Sequence, residues 1–462
     1  MTTGTKLSNV GAVELPDFGM PQAIPEIPDH IYSSRLECLR ERAETRGYEY
    51  LVVYADREHS ANLSYLTAFD PRFEEAALIV GRDRKPSILV GNECVGMAKA
   101  ASLLMEVRLY QDFSLPSQPR DRSLSLAEIF ADEGIDLGTR VGAIGWKGFE
   151  DRSRLDIPAF LADELRAAVG ETGAVENATD LLIDPADGLR VINEVEQLGY
   201  FEYAACQTSN GVRNLLFGLE PGMTEQEAVR LLEWNGAPLS CHLMLTAGER
   251  ASLGLLSPGD RRITAGDPLT VAFGIWGALN CRAGFVTEDA DQLPDDISDY
   301  LDKLVRPYFE TVVEWYEALH VGQKGGVLQE IVDRRLGDPF FGIFLNPGHQ
   351  IHLDEWVNSP VWPGSEVELR SGMAMQVDII PATGTPYFTT NIEDGIALAD
   401  ASLRRELEST FPDAWGRIQD RRRFMHDVLG IDLHPDVLPF SNIPAYLPPF
   451  LLRPDRAMVA AG

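Results

Sequence analysis

Apolar and polar positions follow two different periods along this chain, and the change from one to the other divides it. From Ile31 the segment IYSSRLECLRERAETR has a helical rhythm that Gly47 ends. Short unbroken apolar runs follow at YLVVYA (50–55), AALIVG (76–81), SILVG (87–91) and RVGAIGW (140–146), the pattern of strands buried on both faces. A helical pattern runs through MAKAASLLM (97–105), and EVRLYQ reads as a further strand. Helices alternating with apolar strands predict an α/β domain over 31–185.

Asp184-Pro185 and Gly188 then punctuate the chain before one long helical pattern, which Pro221-Gly222 stops. Thr224 and Glu227 have the spacing of a capping box for the next helix. Beyond it, strand-like runs at LTVAFGIW (269–276), MAMQVDII (373–380) and GIALA (395–399) mix with helices near 296–320 and 402–429, so 186–430 reads as an α+β domain. Residues 1–30 and 431–462 are rich in proline with no sustained period. They are expected to be extended arms, the second lying against the body or a partner subunit.

Composition narrows the function classes. The 462 residues exceed what one core usually holds, and no apolar run is long enough for a membrane span. With 71 acidic against 40 basic residues the net charge is −31, a field that repels a phosphate backbone, so no nucleic-acid partner is expected. The N-terminal residues have neither an apolar nor an arginine-rich targeting pattern, which gives a cytoplasmic expectation. The five cysteines are widely spaced and form no CxxC pair, as expected of free thiols.

Three stretches carry a resemblance. YADREHSANLSYLTAFDPRFEEAALIVG lies in the first domain, and LRVINEVEQLGYFEYAA with LEPGMTEQE opens the second. The ordered series AGDPLTVAFG, NPGHQIHLDEW, SGMAMQVDIIP and TTNIEDGIAL completes it. Together they resemble the creatinase/prolidase (Xaa-Pro aminopeptidase-like, M24) superfamily over about residues 31–430. The resemblance implies an α/β creatinase-like N-terminal domain, an α+β pita-bread domain, a small-molecule substrate and a homodimer.

In metal-dependent members, the resemblance implies two divalent ions held by two aspartates, a histidine and two further carboxylates. Such ions sit roughly 3.5–4 Å apart and polarise a carbonyl together. The matching positions here are Ala272, Ala283, His349, Asp378 and Glu393; Gly274 follows Ala272 at the D-x-G spacing, and Ala283 lies eleven positions on. Two methyl groups therefore stand where bridging aspartates are expected. Two histidines that flank the family's reaction site also have no match, their places falling near Leu255 and at Trp356.

No cofactor is expected, with a single divalent metal on His349, Asp378 and Glu393 as the alternative. Those three are the candidate catalytic residues. His349 is a site histidine or one satisfied in the core; Asp378 and Glu393, in apolar strands, need a cation or an internal salt bridge with Arg282 or Arg370. Arg282 either binds a substrate carboxylate or fills the metal position and neutralises those two acids. Cys281 beside it is a nucleophile or an inert buried thiol. His352 and Trp356 are substrate-binding candidates on the same segment, with core or dimer-contact roles as alternatives. Arg72 and Phe73 in the first domain are binding candidates, or pair structurally with the surrounding acids. The expected function is a metal-independent hydrolase or lyase acting on a C–N bond of a small amino-acid-derived, amidine or cyclic-amide substrate. The alternatives are a mononuclear Xaa-Pro peptidase and a non-catalytic binding protein.

Overall fold

The computed structural model describes residues 6–461, which form two compact units, one spanning Ile27–Arg190 and the other comprising residues 6–26 and 191–461. In the first, a six-stranded sheet runs Glu106–Leu109, Ser87–Val90, Ala76–Gly81, Tyr50–Ala55, Arg140–Ile144, Ala174–Asn177. Tyr50–Ala55 is antiparallel to Ala76–Gly81 and parallel to Arg140–Ile144. Leu51, Val53 and Ala55 enter one core, Val52 and Tyr54 another on the opposite face. Both faces are covered, which is why this strand is an unbroken apolar run. The helix Asp29–Arg46 ends as expected at Gly47, whose φ of 77° lets its N–H turn back to the carbonyls of Ala43 and Glu44. The helical pattern at 97–105 is realised only as Val95–Lys99. Leu103 and Met105 are buried without it, because the edge strand begins at Glu106 and leaves no length for another turn.

In the second unit, the long helix is Val195–Gly218, and the Thr224/Glu227 capping box forms with both reciprocal hydrogen bonds. The helix expected at 402–429 is two, Ala401–Thr410 and Pro412–Asp427, because Pro412 lacks an N–H and opens a new first turn. That expected near 296–320 is Arg306–Ala318 behind a wider turn at Leu301–Val305.

These helices accompany a seven-stranded antiparallel sheet in the order His349–Gln350, Ala374–Asp378, Asn391–Leu398, Ala278–Phe285, Pro268–Ile275, Met244–Ala247; Val437–Pro439 also pairs with Asn391–Leu398. Thr208 of the long helix donates to Asn280 at 2.7 Å, which places that helix on one face of the sheet. Glu202 of the same helix lies fully buried between Arg417 and Arg421, at 2.6 and 2.8 Å.

The two expected arms are built into this unit. Ser8–Ala12 pairs antiparallel with Arg456–Ala460. The segment 437–451 is buried against the sheet, tied down by Arg282 to the carbonyl of Tyr446 (2.7 Å) and by the N–H of Ala445 to Asp394 (2.8 Å). Residues 1–5 of the expected N-terminal arm, and Gly462, lie outside the described residues.

Candidate active site

Strand register assembles the site. Ala272, Cys281, Glu393 and Asp378 are successive antiparallel partners across four strands, so their side chains share one face. One step along the strands, Ala283 lies opposite Thr270 and Asn391; one step the other way, Gln376 lies opposite His349 and Gly395. Asn280, Arg282 and Asp394 fall between these positions and point to the helix-covered face. The first face is the more open where Ala272, Cys281 and Asn391 lie, each 8% exposed against 1% for Arg282 and Asp394, while Gln376 and His349 on it are fully buried.

On that face three acids converge on one imidazole. His349 Nε2 is 3.3 Å from Glu393 Oε1, 3.4 Å from Glu355 Oε1 and 3.8 Å from Asp378 Oδ2. Its Nδ1 faces the Gln350 carbonyl at 3.3 Å, which leaves Nε2 as the ring atom directed at the acids. The indole of Trp356 stacks on the ring, centroids 4.1 Å apart and planes at 15°. Gly348 fixes the approach. Its φ is 125°, and a Cβ there would lie 2.8 Å from the Trp315 indole, which itself donates to the Pro347 carbonyl at 2.9 Å.

Burial governs the electrostatics. It raises the Glu393 carboxyl to about 7, against the opposing pull of a hydrogen bond from the Cys281 thiol at 2.8 Å. Asp378 is pushed well above the ordinary carboxylate range by burial and then by the charge of Glu393. Glu355 rises to about 7 by desolvation, with His349 countering. The Cys281 thiol is raised by burial and by Glu393, so it stays protonated and serves as a donor, the inert alternative rather than the nucleophile. Oδ1 of Asp378, Oε1 of Gln376 and Oδ1 of Asn391 have no hydrogen-bond partner among the described residues.

The candidates named from sequence thus divide. His349, Asp378, Glu393 and Trp356 meet on this face. Arg282 does not join them: neighbouring residues of a strand face opposite ways, and its guanidinium binds both oxygens of Asp394, at 3.0 and 2.8 Å, on the covered face. The expectation that it neutralises Asp378 and Glu393, or takes a substrate carboxylate beside them, is therefore corrected. His352 is fully buried with its ring edge-on to Phe201, 5.1 Å between centroids, the core alternative. In the first unit, Arg72 pairs with Asp70 at 3.1 Å and Phe73 is half exposed.

Sequence reasoning missed Glu355, Asn391 and Gln376. Glu355 had a signal in its position beside Trp356; the other two become visible only through register. As for a metal, one ligand atom each from His349, Asp378 and Glu393 lies within 4.8 Å of the others. With the unpaired Asp378 oxygen this set fits one divalent ion. Ala272 and Ala283 bring only methyl groups to the same face, so a second ion finds no comparable set among the described residues.

No protein-family model matches the sequence, and neither does any curated protein. Solved structures match closely in shape. The prolidase from Pyrococcus horikoshii OT3 superposes with a TM-score of 0.61 at 16% identity, over 79% of this chain and 95% of that one. Dipeptidase PepE from Mycobacterium ulcerans gives 0.60 at 18% identity, over 81% and 95%. The X-Pro aminopeptidase from Thermotoga maritima MSB8 gives 0.61 at 15% identity, over 79% and 95%. The chain has the prolidase-type fold, an α/β creatinase-like domain followed by an α+β pita-bread domain. Among the described residues no helix is long and apolar enough to cross a membrane.

Proposed function

We propose that this protein is a hydrolase or lyase of creatinase/prolidase type that cleaves a C–N bond of a small cationic substrate without a metal. Amino-acid-derived compounds, amidines and cyclic amides make up the substrate class. The observation that carries the reading is the convergence of Glu393, Glu355 and Asp378 on the single imidazole of His349, while Arg282 is committed to Asp394 on the opposite face. Buried acids held above their ordinary range favour an incoming cation, which returns them to the ionised form.

In this reading Asp378 and Glu393 bind the cationic group. His349 is the general acid/base: Nε2 takes a proton from the attacking water, or from the substrate carbon in an elimination, and returns it to the departing nitrogen. Trp356 and the Gln350 carbonyl hold the ring in place for both steps, and Glu355, with its carboxyl at about 7, exchanges protons with Nε2. The net charge of −31 suits a cationic small molecule rather than nucleic acid. A cytoplasmic homodimer belongs to the same reading.

The 4.8 Å clustering of donors favours a second reading, a mononuclear metallopeptidase. His349, Asp378 and Glu393 would hold the ion, which would supply Lewis-acid polarisation of a peptide carbonyl. The two separate in a turnover screen of chelator-treated protein against amidines, cyclic amides and Xaa-Pro dipeptides, with ammonia, urea or amine release as the readout. Turnover of the first two groups, insensitive to chelator and abolished in His349→Gln, is expected. Proline release that requires an added divalent ion would transfer the protein to the metallopeptidase reading.

A further inference from the structure

Asn391 shares the solvent-reaching face with Glu393, two positions away along one strand, which sets the two side chains about 7 Å apart. Its Oδ1 is buried and has no hydrogen-bond partner among the described residues. An unsatisfied buried amide is costly, so the position is built for a group that completes it. Its neighbours on the same row do not do so: Ala283, directly opposite, is a methyl group, and the hydroxyls of Thr270 and Thr246 already bond each other at 3.1 Å. The surroundings also restrict the charge of that group. Glu393, Asp378 and Glu355 oppose a carboxylate, and Arg282, which could attract one, faces away into Asp394.

We infer that Asn391 is a specificity residue that pairs with the cis edge of a neutral amide, a primary carboxamide or a lactam, about 7 Å from the cation held by Glu393 and Asp378. This rests on the cation-binding reading above and narrows it. The substrate class becomes amidinium or ammonium compounds bearing an amide in place of a carboxylate. An amide edge offers one N–H and one C=O side by side, so it complements the Asn391 side chain in either orientation of its terminal group. A carboxylate satisfies the amide N–H of Asn391, leaves Oδ1 unpaired and adds charge next to the acids.

Full-length, metal-free protein titrated calorimetrically with guanidine, guanidinoacetamide and guanidinoacetate tests this. The last two differ only in amide against carboxylate. Guanidinoacetamide is expected to bind at least about tenfold more tightly than guanidinoacetate, the scale of one completed buried hydrogen bond. Asn391→Ala is expected to erase that preference; Asn391→Asp, nearly isosteric, covers the case in which the alanine variant fails to fold, and is expected to weaken guanidinoacetamide binding. Equal affinity of the two ligands, or a preference that survives in both variants, would overturn the role of Asn391 while guanidine binding left the cation site standing. Failure of guanidine itself to bind, or its undiminished binding to Glu393→Gln, would overturn the cation-binding reading and this inference with it.

Discussion

Glu393 concentrates the residue-level chemistry: one oxygen accepts from the Cys281 thiol, the other faces His349, and burial holds the carboxyl at about 7. A carboxyl raised in the folded state binds its proton more tightly there than in the unfolded chain. It therefore costs no stability at acid pH, and stability is lost as pH climbs from about 4.5 through 7. Glu393→Gln should therefore flatten the fall in melting temperature over this range, and melts of both proteins across it measure the difference. Equal pH slopes would mean that Glu393 titrates at its ordinary value. His349, Asp378 and Glu393 were legible in the sequence because motif spacing carries them. The misplacement of Arg282 has a simple cause: it stands next to Ala283, where a bridging aspartate is expected, whereas strand parity sends neighbouring residues to opposite faces. Register pairs Cys281 with Glu393 and leaves Arg282 facing Asp394.

At the scale of elements, the site depends on how one turn meets one helix. The segment Asn346–His349 passes so close to Trp315 that only a glycine fits at 348, with φ at 125°. Gly348→Ala is expected to destabilise the protein by about 2 kcal/mol or more, since strain at positive φ adds to the clash with a fully buried indole. It should also move His349 off Trp356, seen as reduced turnover together with an altered tryptophan fluorescence spectrum. An unchanged melting temperature would show that the turn relaxes freely. Glycine before His349 was visible in the sequence, but the reason for it was not, because Trp315 lies far upstream. The same limit applies to the helical pattern at 97–105. Apolar spacing there reports burial of Leu103 and Met105, which an irregular segment achieves as well as a helix.

For the whole molecule, the order of apolar runs foretold an α/β unit followed by an α+β unit, since the strand period and the helical period differ locally and need no tertiary information. The ends of the chain were harder to read. Proline-rich segments without periodicity predict extended arms and leave open what they lie against; in the structure Ser8–Ala12 pairs with Arg456–Ala460, and 437–451 lies buried against the body, held through Arg282 and Asp394. Such long-range closure leaves no local signature. The proposed function belongs to this scale too, because it concerns what the assembled face of the sheet holds: acids proposed to receive a substrate cation rather than a metal. Elemental analysis of protein purified without added metal, paired with melting curves with and without chelator, tests it most directly. The expected result is well below one equivalent of any transition metal and a melting temperature that chelator does not change. One equivalent or more, with the melting temperature lowered by chelator, would contradict it.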